Sequence, residues 1–139
     1  MSAEVSLSPD EHRWILSGHR VTQLAVDLTS LRFQTWTLEA SAEIRLAVPF
    51  TYQEPDGVQR RLDPDEPEQL SPLLSLLGRS IERLVVTSRG ELRLAFGDGS
   101  SLDATAHPRS EAWEVQGGGA LEGMAYRCPP GGGTPWDIR

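Results

Sequence analysis

The groups in this 139-residue chain that could bind a metal, attack a substrate or carry a proton are three histidines, one cysteine and twenty acidic side chains. His12, His19, His107 and Cys128 show none of the short paired spacings that pre-form a zinc site, so no metal site is expected. A Cys128–His dyad for nucleophilic chemistry has no local signature, and Cys128 stands beside Pro-Gly-rich sequence. The densest carboxylate run is Asp63, Asp65, Glu66 and Glu68. It reads either as a set of cation ligands or as the acidic N-terminal end of a helix, where the dipole favours negative charge; the second reading accounts for the same residues without a metal. Glu111, Trp113 and Glu114 form the other candidate. An acid and an indole at i and i+2 share one strand face, which places Glu111 against the core beside Trp113. There it either ties down a neighbouring loop through an arginine or backbone partner, or lines a ligand cleft.

The remaining motifs resolve into structure. Phe96-Gly97-Asp98-Gly99-Ser100 lacks the spaced carboxylates of an EF-hand and joins two strands instead of opening a helix, so it reads as a hairpin turn. Gly131–Gly133 has no following lysine and no following helix, which excludes a P-loop. All thirteen basic residues are arginine, so no lysine can form a Schiff base. No catalytic residue and no cofactor is assigned. A net charge of −7 and a pI near 4.9 oppose attraction to a phosphate backbone, so nucleic acid is not an expected partner. The apolar run Leu70–Leu77 is too short to span a bilayer, Met1–Glu4 has no signal-peptide character, and a lone cysteine forms no intramolecular disulfide. A cytoplasmic protein with no membrane association is expected.

Strands must position these side chains. Leu92, Leu94 and Phe96 alternate with polar partners, Leu102, Ala104 and Ala106 resume the alternation after the turn, and Glu111–Val115 forms a third strand. Earlier, Arg13–Ser17 reads as a strand, Gly18–His19 as its turn and Arg20–Leu28 as the return, with a parity break that predicts a bulge. Leu31–Thr37 and a long Ala42–Tyr52 follow, then a turn at Glu54–Gly57 and a return through Val58, Arg60 and Leu62. Leu70, Leu73, Leu74 and Leu77 fall at helical spacing, and Gly78 suits a left-handed cap. Gly18, Val21, Leu24 and Val26 recur sixty residues later as Gly78, Ile81, Leu84 and Val86. The expected fold class is α+β, mostly antiparallel β: two β-meanders, as a sheet, roll or sandwich, linked by one short α-helix. Residues 1–12 are expected to be a flexible N-terminus, 13–128 a single β-rich domain with its helix near 68–77, and 129–139 an irregular Pro/Gly-rich tail, with a brief edge strand at Met124–Cys128.

Four patterns carry a resemblance: Leu-x-Gly-x-x-Val at Leu16–Val21, Leu-Gly-Arg at Leu77–Arg79, Gly-x-Leu-x-Leu-x-Phe-x-Asp-Gly-Ser-x-Leu at Gly90–Leu102, and Glu-Ala-Trp-Glu-Val-x-Gly at Glu111–Gly117. Together they resemble a family of small uncharacterised bacterial proteins, common in high-GC Gram-positive species and known only as a domain of unknown function. The resemblance spans roughly Arg13–Gly133 and implies no activity and no catalytic residues. More loosely, small acidic β-rich proteins of this kind resemble immunity proteins that neutralise toxins, an analogy of fold and charge alone. The function expected from the residues is a non-catalytic, cofactor-free, cytoplasmic protein-interaction domain, in which Asp63, Asp65, Glu66 and Glu68 draw a basic partner protein. The alternative is a small-ligand-binding or enzymatic domain with a cleft at Glu111 and Trp113. The oligomeric state is left unassigned.

Overall fold

A computed structural model describes residues 4–27, 30–37 and 39–136. Among these residues the chain forms eleven strands: β1 Glu4–Leu7, β2 Glu11–Val26, β3 Leu31–Trp36, β4 Ala40–Leu46, β5 Phe50–Gln53, β6 Gln59–Leu62, β7 Ser80–Thr87, β8 Leu92–Phe96, β9 Ser101–Ala104, β10 Trp113–Gly119 and β11 Ala125–Arg127. A 3-10 helix, Pro67–Leu76, stands between β6 and β7. The alternation read from sequence is the alternation of burial: Leu92, Leu94 and Phe96 of β8 point inward with Leu31 and Phe33 of β3 and Ile44 and Leu46 of β4. Each such side chain, fully buried, contributes about 1.5–3 kcal/mol of transfer free energy.

The fold is mostly antiparallel sheet with one short helix, but the expected pair of meanders linked by an α-helix is corrected. One open sheet runs in the order β11-β10-β4-β3-β2-β7-β8-β9-β5-β6, with β1 paired to β2 outside this path. Outward from the β2–β7 boundary, each side takes three inner strands from one half of the chain and its outer hairpin from the other. Tyr52 of β5 and Tyr126 of β11, near opposite ends of that order, belong to one core cluster, so the sheet curls around its apolar face. The repeated parity break is a register shift in both halves, at Val21/Gln23 on β2 and at Ile81/Arg83 on β7.

Other expectations are corrected in detail. The N-terminal segment, expected to be loose, includes Glu4–Leu7 paired with β2 from Glu4↔Ile15 to Leu7↔His12; its side chains are exposed, so backbone hydrogen bonds hold it. Gly18 does not turn the chain: β2 continues through it, and its φ of 94° absorbs a register shift between Ile15 and His19. The long fourth strand divides into β4 and β5, because Pro49 between them has no N–H to give a ladder. The α-helix is a 3-10 helix, with bonds such as Leu77 N–H to Leu74 O. Pro67 and Pro72 remove donors, and three-residue spacing buries Leu70, Leu73 and Leu76 while Leu74 and Leu77 face solvent. Gly78 has the expected positive φ, 83°.

Candidate functional site

Trp113, expected to line a cleft, opens β10 with 1% of its surface exposed. Its indole N–H donates to the Gly90 carbonyl at 2.9 Å, and the Cys128 thiol donates to the same oxygen at 3.4 Å. Both side chains therefore anchor the β10–β11 side of the core to the turn between β7 and β8. Burial pushes the Cys128 thiol up, away from the thiolate that nucleophilic chemistry needs. Glu111 is exposed and not against the core, a correction with a simple cause: β10 begins at Trp113, so strand parity does not reach back to residue 111. Its carboxylate meets Arg127 at 3.3 Å, and Arg127 also reaches Glu114 at 3.0 Å. Glu111 and Trp113 thus lie on opposite sides of the sheet surface and share no cleft.

A second buried network joins the chain's two ends. Trp14 Nε1–H donates to the Tyr126 hydroxyl at 2.8 Å, which leaves the phenolic proton for His12 Nδ1 at 2.9 Å. Trp136 stacks on His12 with ring centroids 3.7 Å apart. Burial lowers the His12 pKa from its ordinary 6.5 and raises that of Tyr126. His19 is buried elsewhere in β2 with Nδ1 unpartnered, and His107 Nδ1 accepts the Arg109 backbone N–H. Among the described residues no three His, Cys, Asp or Glu side chains gather as a metal site.

The acidic run is brought together at the start of the 3-10 helix. Asp63 Oδ1 accepts the Asp65 N–H at 2.9 Å, while Glu66 occupies the cap position without a side-chain capping bond. A hydrogen bond with Glu68, followed by that residue's charge and those of Asp63 and Asp65, holds the Glu66 carboxyl above its ordinary range. Among the described residues none of these four acids forms an ion pair. Glu68, Ser71 and Leu74 follow one another at the helix's three-residue spacing, all exposed, with Leu77 next in line. Leu74 is 61% and Leu77 46% exposed.

A third surface was missed from sequence. On the outer face of β3, β4 and β10, Trp36, Ser41 and Gly118 form one cross-strand row and Gln34, Glu43 and Gln116 the next. They line an open cavity of about 270 Å³. Trp36 is 69% exposed, unlike the buried Trp14 and Trp113. The signal was present: buried positions of β3 are odd, so an indole at 36 falls on the solvent parity.

A family model described as "Family of unknown function (DUF6188)" matches residues 12–137. No curated protein and no solved structure matches the chain. Among the described residues no helix is long and apolar enough to cross a membrane.

Proposed function

The chain belongs to this family of unknown function, and we propose that it is a non-catalytic protein-interaction domain acting in the cytoplasm. Its contact surface is the acidic start of the 3-10 helix together with Leu74 and Leu77. The observation that carries this reading is a run of four crowded acids, with no ion pair among the described residues, that leads into a short helix exposing Leu74 and ending beside the exposed Leu77. Crowded acids repel one another, and a basic partner relieves that repulsion while steering encounter. The leucines supply the apolar area that a contact desolvates. A basic, toxin-like protein is the partner class this chemistry fits.

The test is capture from native lysate on the immobilised protein at low and high salt, repeated with Asp63→Asn, Asp65→Asn, Glu66→Gln and Glu68→Gln combined. The expected result is a basic protein that salt releases and that the neutralised variant retains more weakly, by at least about tenfold in affinity. Recovery of nucleic acid, or of a partner indifferent to salt and to the replacements, contradicts the proposal.

A further inference from the structure

We propose that the outer face of β3, β4 and β10 is a binding site for a neutral saccharide, with Trp36 as the platform on which one sugar ring stacks. The site is separate from the helix surface and does not depend on the interaction described above. Three features of the face define its ligand.

The first is the indole itself. Trp14 and Trp113 are buried and each donates its N–H to a protein acceptor, and Trp136 stacks on His12. Trp36 alone of the four is exposed to this degree, at 69%. A flat aromatic face at the rim of a polar groove suits the C–H face of a pyranose, which is apolar on one side and ringed by hydroxyls.

The second is the shape. The row beginning with Trp36 continues through Ser41 and ends at Gly118, so the sheet surface drops away beside the indole. A Cβ at Gly118 would stand 2.8 Å from Ser41 Oγ and fill the depression. The resulting cavity of about 270 Å³ lies just below the usual range of ligand-site volumes and suits one or two rings of a chain.

The third is the polar lining. Gln34, Gln116 and Ser41 offer amide and hydroxyl groups that both donate and accept, and Glu43 a carboxylate that accepts, as vicinal hydroxyls require. Among the described residues the side chains of Gln116 and Ser41 make no hydrogen bond, so they are available to a ligand. No arginine lines the cavity, which disfavours an anion. Glu43 is already engaged by Gln34 at 3.4 Å and by Arg32 at 3.7 Å, and one indole is not a cage, which disfavours a quaternary ammonium.

The test is a titration of the labelled protein with cellobiose, maltotriose and N,N′-diacetylchitobiose, followed by a panel of neutral oligosaccharides, read in every variant on the Gln116 backbone amide and in the parent protein also on the Trp36 indole N–H resonance. At least one neutral sugar is expected to shift both resonances saturably. Trp36→Ala and Gly118→Gln, both at exposed or half-exposed positions, should each weaken binding by about tenfold or more. Thr51→Ala, on the other half of the sheet, should leave it unchanged. The proposal is overturned if no neutral sugar binds, if binding survives Trp36→Ala, if choline or a sugar phosphate binds in place of the neutral compounds, or if Trp36→Ala instead abolishes a concentration-dependent self-association. None of these results bears on capture of a basic protein by the helix.

Discussion

Two charged surfaces of this molecule use the same kinds of side chain in opposite ways. On the outer face of β7, β8, β9 and β5, a cavity of about 450 Å³ is lined by five ionisable groups, Arg89, Glu91, Arg93, Asp103 and Glu11. Those charges are spent on one another: Arg93 meets Asp103 at 2.6 Å, and Arg89 meets Glu91 at 3.5 Å. Arg13 meets Glu11 at 3.1 Å beside them. At the start of the 3-10 helix stand the half-buried Asp63 and the exposed Asp65, Glu66 and Glu68, none of them in an ion pair among the described residues. Cross-strand register brings opposite charges such as Arg93 and Asp103 together on the sheet, whereas the run Asp-Pro-Asp-Glu-Pro-Glu that leads into the short helix sets four acids side by side in sequence. Cavity size and charge count therefore favour the first surface, and unpaired charge favours the second. The proposed function follows the unpaired charge.

The largest expected effect that sharpens this contrast comes from Pro72→Ala. Removing the proline allows α-helical bonding, and the four-residue period would turn Leu74 and Leu77 toward the core with Leu70 and Leu73. Partner affinity is expected to fall by about tenfold while far-ultraviolet dichroism gains α-helical character. A more helical variant with undiminished affinity would remove the leucines from the contact surface.

An intermediate effect is expected from pH. His19 is 3% exposed with an unpartnered Nδ1, and burial lowers its pKa from the ordinary 6.5. The unfolded chain then binds the proton more readily than the fold, so stability is whole above 6.5 and declines as pH falls below it toward the depressed value. His12 acts with the same sign. Thermal melts between about pH 7.5 and pH 5.5 should show this loss, and His19→Phe should flatten it. A slope unchanged in that variant would assign the acid sensitivity elsewhere.

The smallest effect is expected on the paired face. Arg93 and Asp103 side chains are 67% and 40% exposed, so Arg93→Ala should cost under about 1 kcal/mol and leave partner binding unaltered. Loss of binding in that variant would break the contrast between spent and unspent charge.

Much of the sheet was legible because strand alternation is local. Leu92, Leu94 and Phe96, the positive-φ Gly99 turn and the bulges at Val21 and Ile81 each follow from neighbours in sequence. The sheet order was not, since the exchange of β5–β6 and β10–β11 between halves depends on contacts far apart in the chain. The helix was misread because Leu70, Leu73, Leu74 and Leu77 fit a four-residue period as well as a three-residue one, and only Pro72 decides between them. At the candidate sites the same limit applies. Glu111 took its face from a strand that starts two residues later, whereas Trp36 announced its exposure by parity alone.

The most direct test of the central claim is a chemical-shift map of the labelled protein with its purified partner. The account predicts perturbations concentrated at Asp63, Asp65, Glu66, Glu68, Leu74 and Leu77, weakening as salt is raised. Perturbations centred on Thr51, Arg93 and Asp103, with the helix silent, would contradict it.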